Sequence, residues 1–385
     1  MVTTYFGEND LNRVSFLRGE EEFIKRALAC EHSTYVPFVK GNAICRKDDD
    51  TTKKTSLYTV TYGASTKAFQ NIIDDYSNIL NKPESRISES GISLSFLGLK
   101  QDDKIAEAHT LTYGRNNITY RGIPYFAINI EDENTDVKEL LPGEHENLSF
   151  IDSCLMTNFD ASLFSHARMY IDWLRNTRFC TGCGHYVYPV EAGTKAQCGN
   201  TDMSIKCHVR DARVNNFCFP RTDPIAIVAI VSELYDKICL VRTKRKIDNK
   251  HAFYSNVAGF MEPGETVENA CAREIWEETG IDCLPTDIEI VASQPWPYPV
   301  NLMIGCVAKI KFNGSNETVN LNHDPELMDA QWFEVSDLVK SLEAHKGGFF
   351  MPFVNDYYLP GEQAVAYDLL KHVANRYTTR KSANL

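Results

Sequence analysis

Gly259-Phe-Met-Glu-Pro-Gly-Glu-Thr-Val-Glu-Asn-Ala-Cys-Ala-Arg-Glu-Ile-Trp-Glu-Glu-Thr-Gly-Ile281 carries six glutamates, at 262, 265, 268, 274, 277 and 278, against one arginine. The stretch from Val267 to Thr279 reads as a helix, and Gly280 stands where a left-handed C-terminal cap belongs. On that helix Glu274, Glu277 and Glu278 sit at i, i+3 and i+4 and share a face. Three carboxylates so placed repel one another unless a cation lies between them, and oxygen donors are what Mg²⁺ and Mn²⁺ prefer. A lone acidic cluster of this kind is usually a solvated helix face. Here a glycine-bracketed loop before the helix and Arg273 within it argue for a site.

Outward from this stretch, apolar patterning gives strands at Ile225–Val231, Ile238–Arg242, Ala252–Ala258, Ile288–Ser293, Leu302–Phe312 and Gln331–Glu334, with helices at Val335–Ala344 and Gln363–Asn375. Between Arg242 and Lys250 lie five basic residues, read as a solvated loop or as an attractor of a polyanion. Further upstream Cys180-Thr-Gly-Cys183 is followed by Cys198 and Cys207. Two thiolates from a C-x2-C turn and two from a second turn make a tetrahedral, closed Zn²⁺ site of structural type. Cys207 is the favoured fourth ligand, with His208 and Cys218 as rivals. The helix before this module, Asp160–Arg175, has Asp160 as its expected N-cap.

Residues 1 to about 150 suggest a small α+β domain, with helices at Glu21–Ala29 and Thr66–Leu80 and strands at Ile92–Leu99 and Ile118–Ile130. Arg46–Thr55 reads as a loop and Glu131–Asn147 as a link between two units. The chain has 385 residues, room for two or three domains. Its net charge of -12 argues against broad binding of nucleic acid or anionic membrane, though not against a local nucleotide pocket. The longest apolar run, Ile225–Val231, is too short to span a bilayer. No secretory leader is expected. The other seven of the twelve cysteines are scattered, as in a reducing compartment.

Gly259, Glu265, Arg273, Glu274, Ile275, Glu277, Glu278, Gly280 and Ile281 together resemble the complete Nudix box. The strand and helix pattern is compatible with the fold this implies, an α/β/α sandwich with a mixed sheet. Ser293-Gln-Pro-Trp-Pro-Tyr-Pro299 is similar to the Ser-Gln-Pro-Trp array of the NADH pyrophosphatase subfamily, with Tyr298 in place of phenylalanine. Zinc module, then Phe219-Pro-Arg-Thr-Asp-Pro224, then box, then array is that subfamily's order of parts, in a fungal-type, peroxisomal form. The layout expected is therefore an N-terminal α+β domain over 1–159, a linker helix and zinc ribbon over 160–218, and a Nudix domain over 219–385.

The resemblance implies metal-dependent hydrolysis of the pyrophosphate bond of NADH, and of NAD⁺ and related dinucleotides, to AMP and reduced nicotinamide mononucleotide. Removal of NAD caps from RNA as the main role is one alternative. A non-catalytic nucleotide- or RNA-binding module is another, against which the intact glutamates argue. The implied Mg²⁺ or Mn²⁺ ligands are Glu274, Glu277, Glu278, the carbonyl of Ala258 and Glu326, the last being either a ligand or the general base. Glu265 is expected to pair with Arg273, which otherwise touches phosphate. Substrate-binding candidates are Phe219, Phe260, Gln294, Pro295, Trp296, Pro297, Tyr298, Pro299, Val300, Asn301 and Ala366. A homodimer is implied, with no membrane partner. The tail Ala383-Asn384-Leu385 resembles a degraded peroxisomal signal, with the cytosol as the alternative.

Overall fold

Alternation along the strand Asp223–Ser232 sets the architecture of the catalytic unit. Ala226, Val228 and Ile230 face one side and pack with Ala270, Cys271 and Ile275 of the helix Val267–Thr279. Ile227, Ala229 and Val231 face the other side and pack with Leu338, Leu369, Leu370 and Val373 from the helices Val335–Ala344 and Val365–Ala383. A strand buried on both faces has no polar side to spare, which is why it reads as one apolar run. The computed structural model describes residues 4–7, 10–47, 55–102, 104–131, 136–212, 217–244, 251–323 and 326–383. The chain forms two compact units, Glu8–Arg221 and a second made of Met1–Gly7 with Thr222–Leu385.

In the second unit Asp223–Ser232 runs parallel to Asn301–Ile310 and antiparallel to Lys237–Thr243 and Val257–Phe260. Ile288–Trp296 and Leu327–Glu334 complete a mixed sheet of six strands. With helices on both faces this is an α/β/α sandwich. Two expectations change. Ala252–Ala258 is not a continuous strand, since regular pairing begins at Val257. The strand expected to end at Ser293 continues to Trp296, so the first half of the proline-rich array is paired sheet.

The unit Glu8–Arg221 has a nine-stranded sheet in which Ile118–Ile130 lies between Ile92–Lys100, antiparallel, and Thr34–Val39, parallel. Phe23 and Phe69, from the helices Glu21–Leu28 and Lys67–Ile79, bury against Phe96 and Phe126 of that sheet. Glu131–Asn147 is not a linker. Its described part holds a helical turn, Val137–Leu140, with Leu140 and Leu141 in the core, and Glu146–Asn147 pairs with the strand Asn42–Lys47. The helix Asn158–Asn176 is capped by Thr157, whose hydroxyl accepts from the Asp160 N–H, so Asp160 is a first-turn residue rather than the cap.

The cysteine module is a three-stranded sheet of Val187–Val190, Lys195–Cys198 and Phe217–Cys218. Its hairpin tip is anchored in the N-terminal core: Ala192 is buried there and its carbonyl accepts from Phe96 N–H at 2.9 Å. Gly193 follows with φ +79° against the backbone of Leu94, where a Cβ would collide with the carbonyl. Among the described residues no helix is long and apolar enough to cross a membrane. Residues 48–54 of the expected loop, 245–250 of the basic run and 384–385 of the tail lie outside the described residues.

Candidate active site and metal centre

The glutamate helix is delimited as its sequence demands. Thr266 caps its start by accepting from Asn269 N–H, and Gly280, at φ 69°, ends it by donating to Trp276 O. Ala270, Cys271 and Ile275 fix its buried stripe on the sheet, and this brings Glu274 and Glu278 to the edge of that stripe. They are 9% and 7% exposed. Burying two carboxylates is costly unless cations or donors meet them.

Arg273 answers part of that demand with all five of its N–H groups. Nε and Nη2 grip the two oxygens of Glu265 at 2.7 and 2.9 Å. Nη1 reaches Glu274 at 2.7 Å and Glu277 at 3.0 Å, and Nη2 also donates to the Phe260 carbonyl at 2.9 Å. A guanidinium with every donor engaged has none left for phosphate. The Arg273 hydrogen bonds, with the Glu262 backbone N–H, lower the Glu265 carboxyl to about 2. Burial raises the Glu274 carboxyl above its ordinary value, against the opposing pull of Arg273. Gly259 completes the arrangement, because any Cβ there would collide with the Glu274 carboxylate.

This donor set fits Mg²⁺ or Mn²⁺. It is all oxygen and lies on one helix face, though among the described residues only the four cysteines gather three or more ligand atoms within 4.8 Å. Glu326 is exposed and immediately precedes the strand Leu327–Glu334.

The proline-rich array is split between scaffold and surface. Gln294 is 1% exposed. Its Nε2 donates to the carbonyls of Tyr5 and Gln363, both at 2.9 Å, and its Oε1 accepts from Val365 N–H at 2.8 Å. The amide is thus committed to holding the chain together. Pro297, Val300 and Asn301 are buried as well; Asn301 Nδ2 donates to the Tyr298 carbonyl at 3.3 Å. Pro295, Trp296 and Tyr298 are half-buried and Pro299 is exposed. The Tyr298–Pro299 peptide is cis. Ala366 is buried, and its carbonyl accepts from Asn256 Nδ2 at 3.3 Å.

Sequence reasoning missed Phe6. This buried ring lies edge-on to Trp296 at 5.7 Å and to Tyr298 at 6.2 Å, with Tyr5 at 4.7 Å from it. No periodicity or motif surrounds it. Trp276 was also missed: it is exposed on the glutamate helix and pairs with His323 at 4.4 Å. Phe260 is exposed. Phe219 belongs to the unit Glu8–Arg221, where Lys195 Nζ lies 5.4 Å from its ring centre.

In that unit the sulfurs of Cys180, Cys183, Cys198 and Cys207 all lie within 4.8 Å of one another. Cys180–Cys207 and Cys183–Cys198 are each 3.6 Å apart. Four zinc–sulfur bonds of ~2.3 Å make a tetrahedron with edges of about 3.8 Å, so the set fits Zn²⁺ and no open position remains. His208 and Cys218 are not in the group. Cys218 instead sits in the strand paired to Ala196. The long interval before Cys207 is held by Arg210, which donates to the carbonyls of Asn200, Asp202 and Ile205. The His185 backbone N–H is the largest of the influences lowering the Cys183 thiol to about 7, while burial pushes Cys198 up to about 12. Gly182 N–H and Arg210 N–H donate to the sulfurs of Cys180 and Cys207 at 3.4 and 3.3 Å.

The family model of the NUDIX domain matches residues 222–351. The chain is 44% identical over 384 residues to the NAD-capped RNA hydrolase NPY1 of Saccharomyces cerevisiae, covering 98% of this chain and 96% of that protein. It is 30% identical to an NAD-capped RNA hydrolase of Schizosaccharomyces pombe, covering 88% and 85% respectively. A match to the NAD-capped RNA hydrolase NudC of Salmonella typhi is 36% identical and covers 46% of this chain and 61% of that one.

Proposed function

This chain belongs to the Nudix family, and from that premise we propose that it is a pyrophosphohydrolase of NADH and NAD⁺ that also removes NAD caps from RNA. The products are AMP and reduced nicotinamide mononucleotide from NADH, and a 5′-monophosphate RNA from the capped substrate. The observation that carries the reading is the buried pair Glu274 and Glu278 on a helix whose Arg273 is wholly engaged in holding the loop and glutamates. That arrangement orients carboxylate oxygens, the donors that Mg²⁺ and Mn²⁺ take. The names of the two yeast relatives support the substrate class.

Glu274, Glu277 and Glu278, with the Ala258 carbonyl and Glu326, would hold Mg²⁺ or Mn²⁺. When bound, these ions neutralise the pyrophosphate and lower the pKa of a water. The protein's own part is positional. Arg273 holds Glu274 on its ordered loop, Gly259 leaves room for that carboxylate, and Trp296 and Tyr298 present aromatic faces to a base. Zn²⁺ on Cys180, Cys183, Cys198 and Cys207 would act structurally. A homodimer and peroxisomal residence extend the proposal on the subfamily resemblance, the latter supported by the tail Ala383-Asn384-Leu385.

The test is a hydrolysis panel of NADH, NAD⁺, ADP-ribose and NAD-capped RNA with Mg²⁺ or Mn²⁺, with products separated by chromatography. Cleavage of NADH and NAD⁺ at the pyrophosphate is expected. Cleavage confined to ADP-ribose, or none at all, refutes the reading. Sedimentation would decide the dimer, and deletion of the tail with imaging would decide the compartment.

A further inference from the structure

Between the last turns of the helix Val365–Ala383 and one end of the sheet lies an open groove of about 860 Å³. Four exposed cations line it. Arg376 and Arg380 stand one turn apart on the helix, about 6 Å along its axis. Lys309 is near the end of the strand Asn301–Ile310, and Lys311 lies just beyond it. Arg376 is paired with Glu289 at 3.2 Å, and Arg380 Nη1 donates to the backbone carbonyl of Glu233 at 2.9 Å. Among the described residues no carboxylate pairs with Lys309, Lys311 or Arg380. The carboxylates of Glu233 and Asp287 also line the groove, without an ion pair. Four cations against three carboxylates leave it positive on a chain whose net charge is -12.

The groove uses no residue of the glutamate helix or of the proline-rich array. It lies at the other end of the strands that carry the array: Ala308, beside Lys309, pairs with Ile288, whereas Asn301 pairs with Trp296. Glu289, on the groove, and Trp296 are seven residues apart on one strand, about 23 Å. A dinucleotide held at the glutamates does not bridge that distance, whereas the body of a capped RNA does. We propose that this groove binds single-stranded RNA and so holds the body of the capped substrate, an inference that rests on the reading of NAD-capped RNA as a substrate. Its rows of lysine and arginine track the phosphates of a strand running along it. Glu233 and Asp287 would repel a bare polyanion, but they accept hydrogen bonds from ribose 2′-hydroxyls, which RNA carries and DNA lacks. The mixed lining therefore selects RNA.

The test is fluorescence anisotropy of the full, zinc-loaded chain with an end-labelled, uncapped RNA single strand of about twenty nucleotides, enough to fill such a track. No Mg²⁺ or Mn²⁺ is added. Saturable binding is expected, and weaker binding of DNA of the same sequence. A double variant, Lys309→Gln with Lys311→Gln, changes two exposed side chains and leaves the core alone. It should weaken RNA binding by about tenfold or more, the scale of one charge-assisted hydrogen bond. The slope of log affinity against log salt should become shallower by about 1.4, the share of two phosphate contacts. The same variant should hydrolyse NADH as the parent does, while its KM for NAD-capped RNA rises. No saturable RNA binding, equal binding of RNA and DNA, or a double variant with the parent's affinity and salt slope would overturn the proposal. If uncapped RNA binds through these lysines while capped RNA is left uncut, the groove stands as an RNA site and the proposed substrate falls.

Discussion

Replacing Gln294 by leucine should unfold the catalytic unit more readily while leaving its chemistry in place. The side chain has similar length, so the change is mainly one of hydrogen bonding. Three backbone groups lose their partner: the carbonyls of Tyr5 and Gln363 and the N–H of Val365, now met at 2.9, 2.9 and 2.8 Å. Leaving a buried backbone group unsatisfied costs about 1–3 kcal/mol. The Tyr5 carbonyl can turn to water if its segment lifts off, so two groups bear most of the penalty. Recovered apolar burial of the leucine offsets part of it, giving a net loss of about 2–5 kcal/mol. With a urea m-value of about 2 kcal/mol per M, the midpoint should fall by roughly 1–2.5 M. The assay is a urea titration of parent and variant, with NADH kinetics measured well below the transition. A midpoint within 0.3 M of the parent (~0.5 kcal/mol at such m-values), together with a KM raised tenfold, would refute the reasoning. Gln294 would then be a substrate contact and not a tie in the scaffold.

Other expectations follow from the same geometry. Glu278→Gln should abolish turnover with the melting profile intact, and near-normal hydrolysis would remove Glu278 from the metal set. Cys183→Ser should lose stoichiometric zinc first and stability of the unit Glu8–Arg221 with it, as metal analysis beside a thermal melt would show; a folded variant that keeps one zinc would exclude the four-thiolate site. Arg273 lowers Glu265 from the usual carboxylate range near 4.5 to about 2. A depressed carboxyl contributes stability above its unfolded pKa and loses it as pH falls through the folded one, so that contribution should drain away between about 4.5 and 2. Urea midpoints across that window should fall less steeply in Glu265→Gln than in the parent, and parallel curves would show that the pair is not coupled to folding.

The parts legible in the sequence are those whose local pattern and tertiary role coincide. Val267–Thr279 was bounded correctly because Thr266, Gly280 and the apolar stripe of Ala270, Cys271 and Ile275 all speak for one helix. Ile118–Ile130 was equally clear, being apolar through its buried half. Where local and tertiary signals part, the reading failed. The strand was expected to end at Ser293, before the prolines of the array, yet Pro295 lies in it at the sheet edge, where a missing N–H costs little. The acidic stretch after Ile130 looked like a link, but Leu140 and Leu141 sink into the core. Asp160 looked like a cap because the true one, Thr157, lies three residues earlier and Asp160 supplies the N–H it accepts. Phe6 could not be found, because its meaning depends on Trp296 and Tyr298, hundreds of positions away.

That last separation has a consequence for synthesis. A ribosome delivers Tyr5 and Phe6 well before Gln294, which lies 289 residues after Tyr5 and donates to its carbonyl. The whole unit Glu8–Arg221 can fold in the interval, since domains form as units in order of emergence. The two aromatic residues must therefore wait for a sheet that does not yet exist. They emerge before the unit Glu8–Arg221 and are put in place after it. A change at Tyr5 or Phe6 would leave the earlier unit unharmed and fall on the one step that closes the later one.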